Sequence, residues 1–176
     1  MSRKVSVAVM AMLATLAAGS RAPAQDARPV AAAGEPRIVV DVSMKKEVIV
    51  RDAQGREQVL LQDAASTKPG DTLVYRIDYA NKGAAPAVNA RVVDPVPSGT
   101  QLIPASLEAP GADVKVSVDG GRTFESAPIR RAVTRPDGTT EMREVDPASY
   151  THVRWTARDP LAPGDARTAS FKVTVR

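Results

Sequence analysis

Acid–base or nucleophilic chemistry needs a general base beside a nucleophile, and this sequence offers one histidine, His152. It sits among apolar neighbours, Val153 and Trp155, where strand alternation sends it to the face opposite Val153 and toward solvent. No Gly-x-Ser-x-Gly elbow or comparable nucleophile setting accompanies it, so no catalytic residue is assigned. Carboxylates are more numerous. Asp71, Asp94, Asp119, Asp146 and Asp165 stand at loop positions and are the ligand type that Ca²⁺ prefers, but they are scattered singly and no Asp-x-Asp-x-Asp loop occurs. They read as turn carboxylates, with no metal and no cofactor expected. The chain has no cysteine, which excludes disulfides, thiolate metal sites and a lipid-modified N-terminal cysteine.

Cations supply the other binding chemistry. Arg76, Arg91, Lys115, Arg154, Lys172 and Arg176 fall on polar strand faces, while Arg130, Arg131 and Arg135 cluster in a long polar stretch. The N-terminus changes how this charge is weighed. Arg3 and Lys4 precede an uncharged run from Val5 to Ala18, and Ala22-Pro23-Ala24 provides small residues for cleavage, the pattern of a secretory signal peptide over residues 1–24. The apolar run is too short to span a bilayer, and no membrane span is expected. Removing that segment takes away Arg3, Lys4 and Arg21 and no acid, leaving 21 of the 24 basic residues against 20 acidic ones. A nearly neutral mature chain gives no footprint for nucleic acid. Its charged faces read as solvated surface that protects sheet edges. With only two Phe, one Trp and three Tyr in the chain, Trp155 and Tyr75 are expected in the core rather than on a glycan-binding platform.

The elements that must position these residues are strands. Ile38, Val40 and Val42 alternate with Val39, Asp41 and Ser43; Leu73, Tyr75, Ile77 and Tyr79 alternate with Val74, Arg76, Asp78 and Ala80. The same period recurs at Val88, Ala90 and Val92, at Val114, Val116 and Val118, at Val153 and Trp155, and from Ala169 to Val175. Turn chemistry separates the runs: Pro69-Gly70-Asp71, Asn81-Lys82-Gly83, Pro97-Ser98-Gly99, Asp119-Gly120-Gly121, Pro136-Asp137-Gly138 and Pro163-Gly164-Asp165. The sum is an all-β antiparallel sandwich of about seven to nine strands over residues 37–176, with a closed barrel as the alternative. Residues 25–36 read as a flexible lead. Arg37 to Gln62 is expected to add edge strands. The polar insertion of residues 125–149 is long enough to have structure of its own, with Ile129–Val133 and Glu141–Val145 able to pair as a hairpin.

Lys68-Pro69-Gly70-Asp71-Thr72-Leu73-Val74-Tyr75-Arg76-Ile77-Asp78-Tyr79-Ala80-Asn81-Lys82-Gly83, followed by Ala87 to Thr100 with Asp94-Pro95-Val96-Pro97-Ser98-Gly99, resembles the bacterial repeat family catalogued as domain of unknown function 11. Val153-Arg154-Trp155, Leu161-Ala162-Pro163-Gly164-Asp165 and Phe171 to Val175 resemble its closing strands. The resemblance implies an immunoglobulin-like sandwich found in exported and cell-surface proteins, often in tandem and without an assigned enzymatic activity. This sequence differs in carrying a single copy. Ser117-Val118-Asp119-Gly120-Gly121-Arg122-Thr123-Phe124 also resembles the Asp-box, a hairpin motif in which Asp119 accepts turn hydrogen bonds, Gly121 takes a left-handed conformation and Phe124 anchors the hairpin in the core.

The expected function is that of a non-enzymatic module, periplasmic or secreted, acting on an envelope or secreted protein partner through loop ends, the insertion, or an exposed edge strand. The C-terminal strand ending at Arg176 is one candidate for that edge. A small-ligand module binding glycan or calcium is the alternative, and a hydrolase is the weakest reading.

Overall fold

A computed structural model describes residues 34–176. The signal peptide assigned to residues 1–24, and residues 25–33 of the lead, lie outside the described residues.

The described chain is all-β, with antiparallel pairing throughout. Its strands in chain order are β1 (Ile38–Arg51), β2 (Glu57–Asp63), β3 (Thr72–Asn81), β4 (Arg91–Pro95), β5 (Thr100–Glu108), β6 (Ala112–Ser117), β7 (Arg130–Thr134), β8 (Thr140–Glu144), β9 (His152–Ala157) and β10 (Ala166–Val175). One sheet has the order β2-β1-β3-β10-β5 and a second has β4-β9-β6, while β7 and β8 form a separate hairpin within the insertion. Residues 37–62 do join the sheet, with β2 at its edge. The C-terminal strand is not an edge: β10 lies between β3 and β5 and is paired on both sides. That corrects the sequence expectation, because a chain's last strand can be inserted between earlier ones and alternation does not reveal its neighbours.

The two sheets face each other across an apolar core. Leu73, Ile77 and Tyr79 of β3 and Ala169, Phe171 and Val173 of β10 meet Val116 of β6 and Val153 and Trp155 of β9. Phe171 stacks on Tyr75 with centroids 5.1 Å apart and touches Trp155 at 5.9 Å, so one ring joins a strand neighbour to the opposite sheet. Burying each large side chain contributes about 1.5–3 kcal/mol. Trp155 is thus a core residue, and Tyr75 lies half-buried against the core through Phe171. One alternating run breaks. Val88 is 69% exposed and Ala87 takes the buried position instead. Asn89 adopts φ +53°, which interrupts the two-residue period before β4 begins.

The Pro-Gly-Asp turns work as a reciprocal pair. Gly70, which precedes β3, donates its N–H to Val175 at the end of β10 (2.9 Å); Gly164, which precedes β10, donates to Asn81 at the end of β3 (2.8 Å). Val175 N–H returns to Asp71 O and Asn81 N–H to Asp165 O, both at 2.9 Å. Each aspartate carboxylate accepts from the N–H three residues back, Lys68 or Ala162, again at 2.9 Å. Each turn needs its glycine, with φ +91° and +88°. The central β3–β10 ladder is therefore closed at both ends by the same device.

Asn81 is fully buried and binds four backbone groups. Its amide donates to Ala85 O (2.7 Å) and Leu161 O (2.8 Å), and its oxygen accepts from Arg37 N (3.1 Å) and Gly83 N (2.9 Å). One side chain thereby fixes the lead into β1, its own loop and the loop before β10.

Candidate functional site

The Asp-box segment forms a turn closed by paired backbone hydrogen bonds between Val116 and Glu125. Asp119 accepts from Ser117 Oγ (2.7 Å), Thr123 Oγ1 (2.6 Å) and the backbone N–H groups of Arg122 (3.0 Å) and Thr123 (2.9 Å). These donors, the Thr123 hydroxyl first, hold its carboxyl well below the usual carboxylate range. Gly121 has φ +83° and packs against the ring of His152. Both carboxylate oxygens accept hydrogen bonds within the turn. Phe124 departs from expectation: it is half-buried outside the core, with the Arg154 guanidinium 4.3 Å above its ring.

The remaining candidates stay apart. Asp71 and Asp165 cap the Pro-Gly-Asp turns, and Asp146 accepts from Ala148 N (2.8 Å) in the short turn before β9. Asp94 is not a turn carboxylate: it lies within β4 and faces inward, where burial pushes its pKa up to about 6. Pro97 and Gly99 make the turn into β5, and Gly99 has φ +75°. Gly83 owes its place to close packing instead, since a Cβ there would collide with the backbone at Glu35 and Arg37. Among the described residues no three His, Cys, Asp or Glu side chains converge on a metal position. His152 is half-buried, with Nδ1 3.1 Å from Thr151 Oγ1, and no carboxylate orients it.

The cationic candidates divide by location. In the insertion each arginine is matched: Arg130 with Glu144 (2.9 Å), Arg131 with Glu125, and Arg135 with Glu141, which also pairs with Arg143. On the outer face of the larger sheet, Arg76 pairs with Asp78 (2.9 Å) and Lys172 with Glu47. Arg167 lines a shallow depression of about 270 Å³ with Asp41, Asp78 and Thr168, but donates to Gly111 O (2.7 Å), and Asp78 is held by Arg76 and Thr168. The outer face of the smaller sheet is different. Arg154 at its centre has Lys115 and Val93 as cross-strand neighbours, with Arg91 one row away, and none of the three cations has a salt bridge among the described residues. Arg154 Nε is buried without a hydrogen-bond partner there, and burial, then repulsion by Arg91, lowers the guanidinium's proton affinity.

The feature that sequence reading missed is an arm. β1 pairs with β3 from Ile38↔Asn81 to Lys46↔Leu73 and with β2 from Lys45↔Asp63 to Arg51↔Glu57. Only Lys45 and Lys46 have a strand on each side. Past them the β1–β2 hairpin runs on as two strands alone, for roughly 17 Å at ~3.3 Å per residue. Packing against the core ends at Met44. All seven residues of β2 are exposed, including Val59 (60%), Leu60 (43%) and Leu61 (54%), and Ile49 opposite Val59 is 65% exposed. The tip is well made: Asp52 accepts from the N–H groups of Gln54 and Arg56, both at 2.9 Å, and Gly55 takes φ +77°. The signal was present in Val59-Leu60-Leu61, three consecutive aliphatics that break alternation and so place apolar groups on both faces.

Compared with known proteins, the chain matches no family model, no curated protein and no solved structure.

Proposed function

We propose that this chain is an exported, non-enzymatic module of immunoglobulin-like sandwich type that acts by protein–protein contact in the cell envelope or the secreted fraction. Export rests on the charged start, apolar run and small-residue site of residues 1–24. The fold subtype rests on the motif resemblance to the domain of unknown function 11 family, supported by the antiparallel two-sheet architecture. The observation that carries the functional reading is the arm. An exposed edge strand with aliphatic side chains on both faces is a template for another chain, and a lone two-stranded ribbon is marginal in water without one. The contact surface is thereby assigned to β2 rather than to the insertion, whose arginines are neutralised in place.

The test is photocrosslinking in the native host from position 60 on β2, with position 142 on the insertion as comparison. A discrete protein adduct from position 60 and none from position 142 is expected. No adduct from position 60 would overturn the reading.

A second reading, a module binding an anionic glycan, is favoured by one observation: the unpaired, partly desolvated Arg154 over Phe124, with Lys115 beside it. Titration calorimetry with an acidic polysaccharide should give heat that Arg154→Ala abolishes; no heat with the unaltered chain removes this reading.

A further inference from the structure

The sequence of β2 reads nearly the same in both directions. Glu57-Gln58-Val59-Leu60-Leu61-Gln62-Asp63 is acid, amide, aliphatic, leucine, aliphatic, amide, acid. Two antiparallel copies of such a strand related by a two-fold axis through Leu60 place like chemistry opposite like: Leu60 meets Leu60 of the second copy, Val59 meets Leu61, and Gln58 meets Gln62. An isologous interface requires this self-complementarity, because each residue i that contacts j must also accept j contacting i.

We propose that the arm pairs with a second copy of this chain through β2, giving a four-stranded sheet β1-β2-β2-β1 with one sandwich at each end. This inference deepens the contact reading above and rests on it. On the outer face, Ile49, Val59 and Leu61 of each copy join into one apolar cluster across the axis. On the other face the two Leu60 side chains meet, flanked by Val48 and Val50.

The charges permit this register. Glu57 and Asp63 come opposite each other, and like charges in that relation repel. Each already has its counter-ion within its own chain, Arg51 for Glu57 (3.1 Å) and Lys45 for Asp63 (2.5 Å). The row across the axis therefore runs Arg51, Glu57, Asp63, Lys45, cation outside and carboxylate inside, with no net charge.

The arm's other edge, Glu47–Arg51 of β1, also lacks a strand among the described residues, and self-pairing there would match Glu47 with Arg51. It is too short to use. A copy paired about Ile49 would drive its tip, from Asp52 onward, into the position where Leu73 of β3 pairs with Lys46. Among the described residues β2 is open along its whole length.

The chain, purified with its native processing, should sediment as a dimer at micromolar concentration, and Leu60→Lys, which sets two cations against each other at the axis, should weaken association at least tenfold. The absence of native cysteine allows a register test. Leu60→Cys should form a disulfide-linked dimer under mild oxidation, since directly opposed residues lie about 4.5–5.5 Å apart, within disulfide range. Gln58→Cys alone should not, being displaced from its own mate by four residues, roughly 13 Å. The pair Gln58→Cys with Gln62→Cys should. Near-ultraviolet circular dichroism from buried Trp155 reports whether each variant is folded. Three results would overturn the inference: a monomer at hundreds of micromolar, a folded Leu60→Lys variant that still dimerises, or equal crosslinking by Gln58→Cys and Leu60→Cys. A monomer that still gives a foreign-protein adduct from position 60 would remove self-pairing and keep the contact reading; a monomer with no adduct would remove both.

Discussion

Asp94 and Asp119 carry the same side chain in surroundings that push it in opposite directions. Asp94 points inward from β4 and gains no hydrogen bond to offset its burial, so the folded state holds its proton up to about pH 6. The unfolded chain releases that proton near 3.9. Folding therefore binds the extra proton between these values, and stability falls as pH rises from about 4 to about 6, then levels. Asp94→Asn should remove that slope and raise stability at pH 7 by on the order of 1–2 kcal/mol, a figure discounted for the group's partial exposure. Urea unfolding at pH 4 and pH 7 measures it; an unchanged pH slope in the variant would refute the assignment. Asp119 behaves the other way. Its depressed carboxyl stabilises the turn at pH values above the unfolded pKa, and the contribution is lost as pH falls through its folded value. Asp119→Ala should speed amide exchange at Arg122 and Thr123 while leaving β3 and β10 protected. Asn81 has the largest expected effect of any single polar residue. Asn81→Ala leaves the buried carbonyl of Leu161 and three part-buried backbone groups without their partner and should cost about 2–3 kcal/mol by denaturant titration.

Gly70 and Gly83 separate two uses of glycine within turns that look alike in sequence. Gly70 occupies open space, and its need is the positive φ alone, so Gly70→Ala should cost about 1 kcal/mol. Gly83 has backbone on top of it, and Gly83→Ala must push Glu35–Arg37 away and break the hydrogen bond from Arg37 to Asn81. Its loss of stability should exceed that of Gly70→Ala by severalfold in the same unfolding assay; equal losses would show that residues 35–37 yield freely. The contrast marks how far the sequence could be read. β1, β3, β6, β9 and β10 were visible as alternation, and Pro-Gly-Asp and Asp119-Gly120-Gly121 were visible as turns, because both are local rules of backbone and side chain; β5 and β2 carry no clean two-residue period and were not read from it. Which strands become neighbours is a non-local outcome, so the interior place of β10 and the free length of β2 were not visible. Phe124 was misplaced for a related reason: a hairpin anchor is apolar whether it packs inside the sandwich or beneath an arginine on its outer face. The neutralised insertion was likewise hidden, since Arg130, Arg131 and Arg135 find Glu144, Glu125 and Glu141 only once the hairpin has formed.

At the scale of the whole molecule, β1, β3 and β10 form the spine. β1 begins beside Asn81 at one end of β3, and β10 finishes beside Thr72 at the other. A pull applied between the start of β1 and the end of β10 therefore runs along the strands, and it loads both ladders of perpendicular hydrogen bonds at once instead of opening them one after another. The reciprocal Pro-Gly-Asp turns add a hydrogen-bonded stop at each end of the middle ladder. Under tension this arrangement is a shear clamp. Single-molecule stretching from those two points should give one high-force rupture, whereas pulling between position 72 and the end of β10, where the strand ends lie side by side, should unzip the same ladder at markedly lower force. A module built this way holds its shape when the things attached to its two ends move apart.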